Sequence, residues 1–450
     1  MNRKNIILND SAKIDLTCQS SLNDILIVGN FNGMFGRINE SGLDLSGEPS
    51  EEIINNFMWL NDTCRDAKKI FIGTRSSVGD YVKNMMAAAE NLGIQINRDK
   101  YNIILVDSDD ELLNKLNEIS HTMPKFDYII QNPPYAKTLH IDFFKKGIEL
   151  LNDTGKMTII EPATWLMNLR NDNGKGKALY FPFKSSISKL VEYVEIENLN
   201  NIFGIGQFVP CSITHIYKNK QDDVTNVKFF GLSYKVKSLD DINHIQNFKL
   251  VNNIISKIRN ICNDFPKQHI TNIECGDSKY IKYNEILSHT LITNNERESG
   301  WINDTFAYYL YPCVKGDVLD NVPMTLNNGG RETDKPSKCL HGTYQELSNW
   351  KHFCENNTLP LFINICMTID QHNNSLKYVP CLVDKQYTDQ EIYEMFHFTQ
   401  QEINLIEYTV EKFKRNTPWT QRMIYGPSKV SDQEVQEYIE NLKKKHNIDY

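Results

Sequence analysis

Short apolar runs separated by amphipathic stretches dominate the first half of the chain. The runs Asp24–Val28, Lys69–Ile72, Tyr101–Val106, Phe126–Ile130, Lys156–Ile160 and Ser212–Tyr217 are rich in β-branched and aromatic residues and read as strands. Between them, Tyr81–Leu92 and Ile141–Leu151 repeat their apolar positions with helical periodicity. Strands that alternate with crossover helices predict an α/β domain built on a doubly wound, Rossmann-like and mostly parallel sheet. In such a sheet ligands bind at the strand C-termini.

After about Lys220 the pattern changes. Glu274–Gly342 is rich in Asn, Gly, Asp and Pro and reads as loop-laden, and helical periodicity resumes at Tyr344–Glu355 and Asp389–Lys414. The tail predicts a helix over Ser431–His446, whose opening SDQE has the form of a capping box. The change of pattern puts a domain boundary near residue 225.

Composition narrows the class. With 450 residues and 40% hydrophobic content the chain has material for two cored domains. No window reaches the roughly 18 consecutive apolar residues of a membrane span. MNRKNIILND does not resemble a signal peptide, and the ten cysteines form no CxxC pair. These features predict a cytoplasmic protein with reduced thiols and no metal framework. A net charge of −8 disfavours a nucleic-acid partner in sum. Yet Asn168–Leu190 carries Arg170, Lys175, Lys177, Lys184 and Lys189 against Asp172 alone, so a basic cleft is compatible with the balance.

The stretch that carries chemistry is Asp127–Tyr135, DYIIQNPPY. Consecutive prolines cannot continue a strand ladder, so the chain must leave the sheet in a stiff loop where ligands bind. There the Asn132 side-chain carbonyl and the Pro133 backbone carbonyl can both accept hydrogen bonds from an aromatic amino group. That localises the nitrogen lone pair and stabilises the positive charge that develops on it. Pro134 stiffens the turn, and Tyr135 offers a flat face for stacking a base. The bland reading is a proline turn after a strand.

From Asp127 to Leu166 the sequence resembles the catalytic core of N6-adenine DNA methyltransferases of phages and restriction–modification systems. In that family an NPPY-type loop follows the fourth core strand, and Glu161-Pro162-Ala163-Thr164-Trp165-Leu166 fills the turn that comes later. The resemblance continues through Asn201–Lys220. There it implies that Phe203, or failing that Phe208, packs against a flipped adenine; the alternative for each is core packing. Tyr387–Glu407 is similar to a C-terminal threonine-aspartate segment followed by two short helices.

The resemblance implies S-adenosylmethionine as cofactor, double-stranded DNA as partner and a possible cognate restriction endonuclease. It implies a catalytic, cofactor-binding domain over 1–225, a mixed α+β target-recognition domain over 226–385 and a helical segment over 386–450. The cofactor needs a glycine turn after a strand and an acid for its ribose. Gly73–Gly79, with Gly73, Thr74 and Gly79, is the preferred turn and Asp107 the preferred acid, with Asp109 as substitute. Val28–Gly33 is the alternative turn. Lys175, Lys177 and Lys184 are candidates for phosphate contacts, and Arg331 in the turn NNGGR for a base edge; a solvated loop is the alternative for each. Rival functions are methylation of cytosine N4, an RNA base or a protein glutamine, or a DNA-binding relative that has lost catalysis.

Overall fold

A computed structural model describes residues 24–30, 67–75, 81–91, 93–135, 139–167, 175–198, 210–242 and 247–261, four strands between 270 and 342, and most of 349–449. The described residues fall into two units, and the first reaches Ile242.

The first unit is built on one nine-stranded sheet. Its strands are β1 (Asp24–Gly29), β2 (Lys68–Thr74), β3 (Tyr101–Val106), β4 (Phe126–Asn132), β5 (Leu151–Pro162), β6 (Val191–Asn198), β7 (Pro210–Tyr217), β8 (Thr225–Phe229) and β9 (Leu232–Val236). Their spatial order is β3-β2-β1-β4-β5-β7-β6-β8-β9. From β3 to β5 every neighbour is parallel, whereas β7 runs antiparallel to both β5 and β6. The chain steps from β1 outward through β2 to β3, then returns to lay β4 on the other side of β1. The order therefore reverses between β1 and β4, and the crevice at their C-terminal ends is where such sheets bind ligands. This is the doubly wound α/β architecture expected from the sequence.

Helices cover both faces. Helix α1 (Tyr81–Asn91) buries Tyr81, Val82, Met85, Met86 and Ala89, one stripe at helical spacing, against Ile25, Ile27, Phe71, Tyr128 and Ile130. It ends where Gly93 takes a φ of +82°; Gly93 N–H donates to Glu90 O and Ile94 N–H to Ala89 O, a Schellman closure that a side chain would strain. Helix α2 (Asp109–Thr122) starts on Ser108, whose hydroxyl accepts from Glu111 N–H, and buries Leu112, Leu116 and Ile119. Helix α3 (Leu139–Leu150) lies on the face opposite α1. A Cβ on its Gly147 would meet the Gln131 amide at 2.4 Å and the Met157 sulfur at 2.5 Å, so only glycine lets the helix sit this close to β4 and β5. Two further helices follow β5, α4 (Thr164–Met167) and α5 (Lys175–Ile187). Phe144, Trp165 and Phe183 meet edge to face between α3, α4 and α5.

The sheet does not stop at the expected boundary near residue 225. β8 pairs in parallel with β6, and β9 pairs antiparallel with β8.

The second unit holds a four-stranded antiparallel sheet: β10 (Ile270–Thr271), β11 (His289–Asn295), β12 (Phe306–Pro312) and β13 (Cys339–Gly342), in the order β10-β13-β11-β12. Its helices are α6 (Phe248–Ile261), α7 (Thr358–Met367), α8 (Asp389–Met395), α9 (Gln400–Lys412), α10 (Pro418–Tyr425) and α11 (Asp432–Lys445), with most of α10 belonging to this unit. Helices α8, α9 and α11 each open on a complete capping box, at Thr388/Glu391, Thr399/Glu402 and Ser431/Glu434. Asp389 also accepts from the Thr358 N–H at 2.9 Å, so the threonine-aspartate pair starts two helices at once, α8 and α7. No described helix is long and apolar enough to cross a membrane.

Candidate active site

The C-terminal ends of β1 and β4 lie side by side, with Gly29 opposite Asn132. Gly29 has a φ of +105°, and a Cβ built on it would stand 1.9 Å from the Asn132 carbonyl oxygen. No side chain fits there, so the two backbones touch only because residue 29 is glycine. Beyond that contact Asn30 N–H donates to Asn132 O at 3.0 Å, and Asn132 Nδ2 returns a bond to Asn30 O at 3.0 Å. The Tyr135 hydroxyl donates to Asn132 Oδ1 at 2.9 Å. One carbonyl and one hydroxyl thus fix which end of the carboxamide is which. Oδ1 keeps a second lone pair, because a carbonyl oxygen accepts twice. Pro133 is buried, and Pro134 and Tyr135 are half-buried.

The surroundings of this loop are buried and low in charge. Glu161, at the end of β5, is wholly buried, and burial pushes its carboxyl well above the usual carboxylate range; the Trp165 indole N–H offsets this only in part. Burial pushes the Cys211 thiol up to about 12, with the Glu161 carboxyl adding to the shift. Burial, Cys211 and Glu161 raise the Tyr135 hydroxyl likewise. Across β4, β5 and β7 a buried chain links the Tyr128 hydroxyl to Thr158 Oγ1 at 3.0 Å and Thr158 Oγ1 to His215 Nδ1 at 2.9 Å. Burial lowers His215 to about 3 and His140, on α3, to about 4, so both imidazoles are neutral near pH 7. Among the described residues such a site presents oriented acceptors in a low dielectric and offers no free base. Among the described residues no cluster of His, Cys, Asp or Glu could hold a metal ion.

The expected cofactor residues are redistributed. Gly73 and Thr74 are not a turn: they lie inside β2, paired with Leu105 and Val106 of β3. The reason is the spatial order, which puts β1 rather than β2 beside β4, so the alternative turn at Gly29 occupies the switch point. Asp107 follows β3, two strands out from β1, which is roughly 10 Å at the usual strand spacing. It is exposed and accepts from Arg75 Nε at 2.8 Å. Thus the β1 end fits the close backbone approach that a methyl donor's amino-acid end requires. The β2 end does not supply the expected ribose acid: it carries Thr74 and Arg75.

Lys184 is a correction. It is 2% exposed and ion-paired with Asp240, so its charge is neutralised inside the first unit rather than offered to phosphates. The segment expected as a loop is in part helix α5, which carries Lys175 and Lys177 on its first turn. Gly79, Phe203, Phe208 and Arg331 lie outside the described residues. Sequence reasoning missed Cys211 and any role for Glu161. The one signal for Glu161 was a carboxylate directly before the Pro162 turn, at the end of a run of buried β-branched residues.

No protein-family profile and no curated protein sequence matches the chain. Among solved structures it is similar to a putative class I S-adenosylmethionine-dependent methyltransferase from Listeria monocytogenes, at 13% identity and a TM-score of 0.29, over 50% of this chain and 62% of that one. It is also similar to the M protein of the type I restriction enzyme EcoKI, at 13% identity and a TM-score of 0.27, over 46% of this chain and 44% of that one. A third is a modification subunit of a putative type I restriction enzyme from Vibrio vulnificus, at 11% identity and a TM-score of 0.29, over 48% and 45%. The chain therefore spans less than two thirds of each of these three. Likeness at this level decides nothing about the reaction, and the functional reading rests on the site.

Proposed function

We propose that the chain is an S-adenosylmethionine-dependent methyltransferase that methylates the exocyclic N6 amino group of adenine in DNA. The observation that carries this reading is the Asn132 carboxamide. It is held at the switch point with its nitrogen committed to Asn30 O and its oxygen left with a free lone pair. That oxygen and the Pro133 carbonyl would accept the two N–H bonds of the amino group. This pulls the nitrogen toward tetrahedral geometry and stabilises the positive charge it gains. The methyl donor supplies an electrophilic carbon on a sulfonium. The Gly29–Asn30 turn would hold its amino-acid end by backbone contact, and Asp107 is the acid on the outer rim. The absence of a free base among the described residues at the loop suits an amine that sheds its proton readily once methylated. Phe203 or Phe208 would pack on the extruded base, and Lys175, Lys177 and Arg331 would contact the DNA.

The test is transfer from tritiated S-adenosylmethionine to unmethylated DNA, with N6-methyladenine assayed by nucleoside mass spectrometry. Asn132→Ala should lower the rate on the order of a hundredfold or more while cofactor binding persists. Label that goes to RNA or protein instead would redirect the substrate assignment. Failure of the wild type to bind the donor would refute the methyltransferase reading.

A further inference from the structure

Among the described residues Ile261 and Tyr425 are the large hydrophobic side chains left exposed, and Tyr425, the last residue of α10, is 48% exposed. The chain around it is a tight stop. Gly426 ends α10 in the left-handed region, at a φ of +74°, and Pro427 cannot continue the helix. Gly426 is buried, while Tyr425 before it and Pro427 and Lys429 after it are exposed. A Cβ on Gly426 would stand 3.2 Å from the Asn198 carbonyl oxygen, tighter than most real Cβ contacts. Glycine thus also lets this turn press onto the end of β6. Tyr425–Ser428 accordingly belong to the first unit, although the rest of α10 does not.

The strand directions fix which edge of the sheet this is. β5 runs parallel to β4, β7 antiparallel to β5 and β6 antiparallel to β7, so β6 and β4 point the same way. Asn198 closes β6 as Asn132 closes β4. The turn at Gly426 therefore lies on the edge that carries the NPPY loop. It is displaced across the sheet by three strand spacings, about 14 Å at the usual separation. That is the length of about four base steps of a DNA strand, at roughly 3.4 Å each. An aromatic ring held on a rigid turn loses little freedom on binding, and a cation a few residues away supplies attraction for phosphate.

We infer that Tyr425 and Lys429 hold the DNA backbone that flanks the target adenine, the tyrosine ring against a deoxyribose and the lysine ammonium on a phosphate. The inference rests on the DNA methyltransferase reading. The pair makes no base contact, so it sets the register of the duplex relative to Asn132 and reads no sequence.

The test is binding of unmethylated duplex DNA to the whole protein, by fluorescence anisotropy across a salt series. Lys429→Ala should lower the slope of log affinity against log salt by about one, equally on unrelated sequences. Lys237, just after β9, is exposed at the opposite edge of the sheet, because β9 runs antiparallel to β8 and β8 parallel to β6. Lys237→Ala should therefore leave the slope unchanged. Tyr425→Ala should raise the DNA Kd about fivefold or more at an unchanged slope, and Tyr425→Phe, which keeps the ring, should restore binding. Binding of S-adenosylmethionine, measured in parallel, reports that the variants are folded. Unchanged DNA affinity in either Tyr425→Ala or Lys429→Ala overturns the assignment and leaves DNA as substrate. A slope that falls as far in Lys237→Ala as in Lys429→Ala overturns it as well. A wild type that binds no DNA refutes the DNA reading, and this assignment with it.

Discussion

Replacing Gly29 by alanine asks directly whether the β1 turn and the NPPY loop depend on each other. The new Cβ would stand 1.9 Å from Asn132 O, and real Cβ atoms essentially never approach within 3.0 Å of such a neighbour. One backbone must therefore retreat by about 1 Å, which takes the two 3.0 Å bonds between Asn30 and Asn132 out of range. Two such bonds are worth about 2 kcal/mol together. Holding a non-glycine residue at a φ of +105° adds about 1–3 kcal/mol of strain. The sum, about 3–5 kcal/mol, is a loss of roughly 10²–10⁴-fold in protection, since each 1.4 kcal/mol is about tenfold. Hydrogen–deuterium exchange on peptides covering β1 and β4 reads that loss locally, and donor binding measured in parallel should weaken. Gly73→Ala, placed inside β2, is the comparison. Unchanged protection in Gly29→Ala, or a larger loss of donor affinity in Gly73→Ala, would refute the placement of the cofactor turn.

Tyr135→Phe removes the hydroxyl that orients Asn132 Oδ1. About 1 kcal/mol should be lost from the reaction, a several-fold drop in kcat/KM at unchanged donor affinity in steady-state assays. His215 and His140 are neutral in the fold, at about 3 and about 4, but protonate below their ordinary 6.5 once unfolded. The unfolded state therefore binds more protons in acid, and the urea midpoint should fall as pH drops from about 6.5 toward 4. His215→Gln should flatten that slope, and a pH-independent midpoint would contradict the burial argument. Lys412, buried 4.0 Å from the centre of the Trp419 ring, is lowered to about 7 by burial, with Lys443 adding to it. The unfolded chain binds its proton up to about 10.5, so calorimetric Tm should rise from about pH 7 toward 10, and Lys412→Met should lose that rise.

The central strands were legible because parallel strands buried on both faces read as continuous apolar runs, as in Ile25–Val28 and Tyr128–Ile130. The NPPY loop was legible because prolines interrupt such a run at a definite residue. β6 was not: VEYVEIEN interleaves Glu195 and Glu197 with its apolar positions, and both are buried, Glu195 against Lys228 at 3.1 Å. Lys184 misled for the same reason, since its partner Asp240 lies 56 residues away. Helix α2 was written in the sequence as Ser108 followed by Leu112, Leu116 and Ile119, but Asp109 drew attention as a substitute ribose acid instead. Gly73 was read as part of a turn although it lies in β2, because chain order does not reveal spatial order. Asp107 made β2–β3 look like the cofactor pair, whereas the spatial order puts β1 beside β4 in the middle of the five parallel strands.

The β8–β9 hairpin has a practical consequence for anyone trimming this protein. Without it β6 would be the sheet's border, a strand whose Val191, Val194 and Ile196 are buried and whose backbone pairs with β8 through Tyr193–Ile196. With it the border is β9, where exposed Ser233 and Lys235 alternate with the buried Leu232 and Val236. A charged, short border strand is a poor template for intermolecular pairing. A fragment ended at residue 225, where the sequence pattern changes, would uncover the ladder of β6 and invite self-association, whereas one ended just after Ile242 keeps its own guard.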